Sequence, residues 1–236
     1  MGKDGSRQGD QSRGEVRPPD RRHQFYGRRK GHSLRSHHQE LMADLLPRLR
    51  VDIAAPALRD NRETWLEIGF GGGEHLAHQA VLHPDVDFIG AEPFINGVAK
   101  LLALIEEKKL GNIRIHDGDV RYLLEALPDT CLDRIYLLYP DPWPKVRHHK
   151  RRLVNPESLV QFHRVLRPEG LFIFASDIPD YVDWTREHVA EHGGWEAVSD
   201  SDEAAEDWIE TRYEAKARRE GRKPRYLAFR RRGPAL

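Results

Sequence analysis

One cysteine, Cys131, is present in 236 residues. A single thiol closes no intramolecular disulfide and cannot supply the paired cysteines of zinc sites or dithiol redox motifs. It reads as a small buried hydrophobe. No apolar run approaches the roughly 18–20 residues of a membrane-spanning helix. The N-terminus is basic but lacks the apolar stretch of a secretory signal. The expectation is a cytoplasmic protein with no membrane partner. Net charge is also missing, since 38 Lys and Arg balance 38 Asp and Glu. The global field therefore selects no partner, and nothing in the sequence separates a monomer from a homodimer.

The distribution of charge says more than its sum. Residues 1–31 carry nine Lys/Arg against four acids, and residues 145–152 carry five Lys/Arg and two His with no acid. Residues 196–210 hold seven acids and no Lys/Arg, while residues 212–232 hold ten basic side chains against two acids. Separated basic blocks bind a polyanion locally even in a neutral protein. With 39% hydrophobic residues, the chain can bury a core of one α/β domain with an extension.

Residues 1–22 are mostly Gly, Arg, Asp, Gln, Ser and Pro, a composition that stays disordered or orders only on a partner. We expect a basic, disordered extension over 1–34 and a domain over 35–236. Residues 38–50 read as an amphipathic helix with Leu41, Leu45 and Leu46 on one face. Thereafter strand and helix alternate. Apolar strand segments are TWLEIGF, DFIGAE, IRIHDG, LDRIYLLYP, LFIFASD and a sixth, RYLAFRRR. Helices are expected at 74–82, 96–110 (stopped by Gly111), 121–127, 157–166 (closed by an RPEG turn) and 181–192. This order implies an α/β fold with a doubly wound, mostly parallel sheet covered on both faces.

Glu67-Ile68-Gly69-Phe70-Gly71-Gly72-Gly73 ends the first strand and opens a helix. Glycine permits positive φ and close approach of a ligand, and open α/β sheets bind ligands beyond the carboxyl ends of their strands. The phosphate-loop lysine is absent. Glu67, before Gly69, Gly71 and Gly73, can face a cationic amino-acid group. Glu92 ends the second strand, where a carboxylate can accept from two ribose hydroxyls. Asp117 or Asp119, at the end of the third strand, can accept from an adenine amine; Asp119 is preferred because it starts the helix. Acids at three successive strand ends favour a nucleoside-type cofactor, and the one before the glycines favours a methyl donor over a nicotinamide.

The fourth strand leads into Tyr139-Pro140-Asp141-Pro142-Trp143-Pro144-Lys145. Three prolines stiffen the loop and would fix Asp141 in place. Trp143 can stack on a base or pack against the cofactor. Lys145, Arg147, Lys150, Arg151 and Arg152 follow directly, and phosphate contact is the expected role of this run. His148 and His149 have no partners at metal-ligand spacing, so no metal is expected. No Ser/His/Asp set and no nucleophilic cysteine is evident.

In this order, the Glu67–Gly73 loop, Phe88-Ile89-Gly90-Ala91-Glu92, the Pro140–Arg152 run, Ala175-Ser176-Asp177 and Thr211-Arg212-Tyr213-Glu214 resemble the bacterial tRNA (guanine-N7)-methyltransferases. The likeness runs from about Arg35 to Arg231, and its most specific part is Pro140–Arg152. It implies a Rossmann-like class I methyltransferase fold, S-adenosyl-L-methionine as cofactor and tRNA as partner, with guanine 46 of the variable loop as target. Carried over by position, Glu67, Glu92, Asp119 and Asp141 would bind the methyl donor. Lys145, Asp177 and Thr211–Glu214 would bind the guanosine, and Asp141 would also be catalytic. Three rivals stand beside this reading: a nicotinamide oxidoreductase, an inactive RNA-binding relative and an adenine amino-methyltransferase, whose Asn/Asp-Pro-Pro-aromatic loop is close to Pro-Asp-Pro-Trp.

Overall fold

A computed structural model of the chain describes residues 23–56, 58 and 61–233. Seven strands form one sheet in the order β3-β2-β1-β4-β5-β7-β6. They are β1 (Thr64–Ile68), β2 (Asp87–Ala91), β3 (Ile113–His116), β4 (Leu132–Leu138), β5 (Leu166–Ser176), β6 (Trp195–Ser201) and β7 (Arg225–Arg231). The first five pair in parallel, and β7 lies antiparallel between β5 and β6. The helices are α1 (Ser36–Asp44), α2 (Leu46–Leu49), α3 (Glu74–Leu82), α4 (Ile95–Lys108), α5 (Val120–Ala126), α6 (Pro156–Val165), α7 (Pro179–His192) and α8 (Arg212–Arg219).

Strand alternation divides the interior into two cores. Leu66, Ile135, Leu137, Phe172 and Phe174 face one layer with α5, α6 and α7. Trp65, Tyr136, Leu138, Phe88 and Ile115 face the other with α1, α3 and α4. Every residue of β1 is buried, because both its faces are covered. Each fully buried large apolar side chain contributes about 1.5–3 kcal/mol. The central strands thus fix the carboxyl edge, where β1, β2 and β4 end side by side.

Four local expectations change. The helix expected over 38–50 is divided into α1 and α2, with Pro47 in the first turn of α2; inside a continuous helix it would clash with the preceding turn. Lys109 (φ 53°), not Gly111, takes the left-handed position that ends α4. The RPEG turn is the start of β5. Strand β6 lies within the acidic stretch and had no apolar alternation to announce it; all its residues are exposed or half-buried. Its ladder with β7 is supplemented by Arg232 and Arg230 on Glu196 and by Arg186 on Asp200. Such exposed pairs are worth about 0–1 kcal/mol each, so the backbone ladder does most of the holding. Residues 1–22 of the extension lie outside the described residues. Residues 23–34 form no helix or strand, yet they lie against the domain through contacts given below.

Candidate active site

The glycine loop takes the geometry its composition allows. Gly69, Gly71 and Gly73 have φ of 69°, 57° and 79°, conformations that L side chains rarely adopt. Nothing lies within 4 Å of where a Gly69 Cβ would sit, so this backbone faces open space. Gly97, at the start of α4, is a site residue the sequence reading missed. A Cβ there would lie 2.1 Å from the Gly71 carbonyl oxygen, so only glycine lets α4 pack on the loop.

The carboxylates at the strand ends converge on this loop. Glu92 is 8% exposed and accepts from the Gly71 N–H at 2.8 Å and the Phe94 N–H at 2.9 Å. Burial raises its pKa, opposed by those two hydrogen bonds and assisted by the nearby charges of Asp141 and Glu67. Glu67 is 4% exposed, and its Oε2 meets His75 Nδ1 at 2.7 Å. Of the two acids after β3, Asp119 caps α5 by accepting from the Arg121 N–H at 3.0 Å. Burial pushes the Asp119 carboxyl up, but the Arg121 guanidinium and N–H outweigh it, and the net pKa is lowered. Asp117 instead pairs with Arg50 through two hydrogen bonds of 2.9 and 2.7 Å.

Asp119, His116, Gly118, Tyr122 and Pro93 line a cavity of about 570 Å³, within the range of ligand pockets. Its remaining wall includes His23, Gln24, Phe25 and Arg29 from the N-terminal segment. That segment is fastened along its length. His23 Nε2 meets Glu125 at 2.6 Å, the Gln24 carbonyl accepts from Arg121 at 3.0 Å, and the Arg29 carbonyl accepts from the Ile95 N–H at 3.0 Å. Asn96 then holds the Gly31 N–H and the His32 carbonyl, each at 2.8 Å.

The proline loop carries Asp141 between two strained residues. Tyr139 and Trp143 have φ of 49° and 44°, unusual for bulky side chains and typical of backbone held for function. Desolvation by the surrounding walls raises the Asp141 pKa, although the residue is exposed overall. Trp143 packs between the N-terminal segment and the basic run. Its ring lies near Tyr26 (6.2 Å) and His148 (6.0 Å), under the Arg151 guanidinium at 4.9 Å.

The basic run divides by direction. Lys145, Arg147 and Lys150 are exposed around a short 3-10 helix, Val146–Arg151. Lys145 makes no ion pair among the described residues. Arg152 corrects the expectation of phosphate contact for the whole run. It is 1% exposed, donates from Nε to the Pro142 carbonyl at 2.9 Å, pairs with Asp180 and lies over Tyr181 and Trp184. No phosphate can reach it.

Thr211-Arg212-Tyr213-Glu214 proves to be half frame and half surface. Thr211 caps α8, its hydroxyl accepting from the Glu214 N–H at 3.1 Å. Glu214 is 2% exposed and accepts from Trp208 Nε1 (2.8 Å), the Tyr226 hydroxyl (2.6 Å) and Arg218 (2.9 Å). Arg212 and Tyr213 lean outward over the glycine loop. Arg212 pairs with Glu74 at 2.7 Å, and the Tyr213 ring comes within 3.2 Å of where a Gly71 Cβ would stand. Desolvation raises the Tyr213 pKa; the Arg212 charge opposes this, and the charges of Glu92 and Asp141 add to it. Asp177, just past β5, is engaged by Arg222.

Open backbone at Gly69, a carboxylate set at strand ends and an adjoining cavity fit an adenosine carrying a cationic tail. The described residues contain no cluster of ligands for a metal ion and no helix long and apolar enough to cross a membrane. Of His75, Tyr26 and Gly97, which the sequence reading did not single out, only Gly97 carried a signal, as a glycine at a helix start.

Comparison with known proteins agrees with this geometry. Residues 61–226 match a family described as putative methyltransferase. A tRNA (guanine-N(7)-)-methyltransferase from Agrobacterium fabrum is 52% identical over 222 residues, 88% of this chain and 95% of that protein. The protein of the same name from Paracoccus denitrificans is 46% identical, covering 92% of this chain and 99% of its own. Among solved structures, the 16S rRNA methyltransferase KamB superposes with a TM-score of 0.55 at 18% identity, covering 78% of this chain and 99% of that one. A 16S rRNA (adenine(1408)-N(1))-methyltransferase from Catenulisporales acidiphilia, solved with S-adenosylmethionine, gives 0.53 at 18% identity over 73% of this chain and 87% of its own. At such identities these two show the shared fold, that of class I methyltransferases. By its sequence relatives, their coverage and its fold, the chain belongs to the tRNA (guanine-N(7)-)-methyltransferase family.

Proposed function

We propose that this protein transfers a methyl group from S-adenosylmethionine to N7 of guanine in tRNA, with guanine 46 of the variable loop as its target. The observation that carries the assignment of roles is the convergence of Glu67, Glu92 and Asp141 on the glycine loop, with the cation-bearing Lys145–Lys150 segment following Asp141 in the chain. The cytoplasm, where tRNA is found, is its expected location.

When bound, S-adenosylmethionine supplies a methyl group activated by a positively charged sulfur. Glu67 holds the ammonium of its amino-acid end. Each Glu92 oxygen has already accepted one N–H and retains a lone pair for a ribose hydroxyl. Asp119 lies beside the adenine space, shared with Arg121. The strap of residues 23–32 excludes water from that side.

Guanine N7 is an acceptor that carries no proton, so the reaction requires no general base. The chain's task is alignment and charge stabilisation. Asp141, fixed by its strained loop, offsets the positive charge that develops on the purine, and Asp141 or Asp177 accepts from guanine N1–H and the 2-amino group. Within Thr211–Glu214, Arg212 and Tyr213 make the contacts with the guanosine, while Thr211 and Glu214 hold the segment in place. Lys145, Arg147 and Lys150 meet phosphates.

Incubation of the protein with unmodified tRNA and labelled methyl donor, followed by nucleoside analysis, tests this reading. The expected product is 7-methylguanosine. Methylated adenosine in its place, or no incorporation by folded protein, would overturn it.

A further inference from the structure

Strand alternation places Glu67 on the same face of β1 as Trp65, toward α3 and α4. Across that layer, His75 occupies the second position of α3, immediately beyond the glycine loop. It is 2% exposed, and its ring is wedged between Tyr136 (centroids 5.1 Å apart) and Trp208 (4.8 Å). The ring makes one polar contact among the described residues, Nδ1 to Glu67 Oε2 at 2.7 Å, while Nε2 is buried without a partner. An ionised carboxylate only accepts, so Nδ1 carries the hydrogen. The one hydrogen bond of the imidazole among the described residues therefore goes to one oxygen of Glu67. The other oxygen, Oε1, has no partner among the described residues and is left for a ligand.

We propose that His75 is a positioning residue for methyl-donor binding: packed between two aromatic rings, it fixes Glu67 so that the free oxygen meets the donor's ammonium. This inference rests on the role given to Glu67 above and goes beyond it, since nothing in the glycine-loop motif requires a histidine. Two features support it over simple packing. A ring placed only to fill space would not need a polar atom aimed at a buried carboxylate, and burying Nε2 without a partner costs free energy that an apolar ring would avoid. The gain is a charge-assisted hydrogen bond that locks the carboxylate's orientation before the ligand arrives.

Two probes separate the ends of the ligand. S-adenosylhomocysteine retains the amino-acid end, and 5′-methylthioadenosine lacks it. Calorimetric titration of the unliganded protein should show that His75→Phe, which keeps a ring and loses the donor, weakens S-adenosylhomocysteine by about tenfold or more. The same variant should bind 5′-methylthioadenosine within about threefold of the parent protein. His75→Asn places an amide N–H near the Nδ1 position and should recover most of the lost affinity. The proposal is overturned if folded His75→Phe binds S-adenosylhomocysteine as the parent does, or loses both probes equally. If His75→Phe fails to fold, His75→Asn decides. Retention of the parent's preference between the probes supports the proposal, and collapse of that preference overturns it. A parent protein that does not distinguish the two probes would instead remove the role assigned to Glu67, and the inference with it.

Discussion

Arg152 donates from Nε to the carbonyl oxygen of Pro142, 2.9 Å away, and so ties the end of the basic run back into the loop that carries Asp141. The guanidinium is planar and lies over Tyr181 and Trp184, a fit that an ammonium does not reproduce. Arg152→Leu is expected to lower stability by about 2–3 kcal/mol, through the lost hydrogen bonds and stacking. Turnover is expected to fall by about tenfold or more because Asp141 loses its fixed place. Arg152→Lys is expected to recover stability better than turnover. Urea denaturation and initial rates measure both, and unchanged turnover in a folded Arg152→Leu protein would refute the clamp.

Asp141→Asn separates charge from shape. Loss of a preorganised electrostatic group costs about 100- to 1,000-fold in turnover. The fold should be unharmed or slightly stabilised. A carboxyl whose folded-state pKa is raised opposes folding at pH values above that pKa, and the opposition vanishes as the pH falls below the unfolded value. A thermal melt at neutral pH should therefore show no loss of stability, and a drop would mean that Asp141 supports the structure.

The pH profile follows from the same directions. Asp141 and Glu92 both titrate above their ordinary values because desolvation disfavours their charged forms. Each acts as an anion, so kcat/KM should decline as the pH falls through these raised values, earlier than an unperturbed carboxylate would dictate. In Asp141→Asn, the residual activity should retain only the Glu92 part of that decline. A flat profile down to the normal carboxylate range would contradict both assignments.

Tyr26 lies under the Arg151 guanidinium at 4.4 Å and beside Trp143, joining the N-terminal segment to the proline loop. A half-exposed cation–π contact is worth about 0.5–1 kcal/mol. Tyr26→Ala is therefore expected to weaken methyl-donor binding by about two- to fivefold, with little change in melting temperature, because the segment forms a cavity wall. Equilibrium binding of S-adenosylhomocysteine checks this, and identical affinity would release the segment from that role.

Glu214 offers a stability test with a pH sign. Burial raises its pKa, but hydrogen bonds from Tyr226, Trp208 and Arg218 prevail and the net shift is downward. A depressed carboxyl contributes stability above its unfolded pKa and loses it as the pH falls through the folded value. Glu214→Gln should cost about 1–3 kcal/mol at neutral pH, and the difference from the parent should shrink in acid. A penalty independent of pH would show that charge is not what the interior uses.

Much of the site was legible because its chemistry is local. Glycines at Gly69, Gly71 and Gly73 announce positive φ, prolines announce a stiff loop at Asp141, and apolar runs ending in acids mark Glu67 and Glu92 as strand-end groups. The two candidates after β3 could not be separated by spacing, since both follow the strand. Tertiary structure gives them different surroundings: Asp119 lines the cavity, while Asp117 pairs with Arg50, a partnership that depends on α2 packing beside β3. Strand β6 escaped notice because an edge strand with solvent on its exposed side needs no apolar alternation.

The amino-acid order alone determined the alternating α/β frame, the glycine loop and the proline-fixed aspartate, because periodicity and backbone restriction act between near neighbours. Tertiary structure decided which polar residues face outward. Arg152 read as a phosphate contact and became an interior clamp, Glu214 is buried among Trp208, Tyr226 and Arg218, and His75, unremarkable in sequence, met Glu67 across a helix–strand interface. A buried polar group is defined by the partner that satisfies it, and packing of the whole chain chooses that partner.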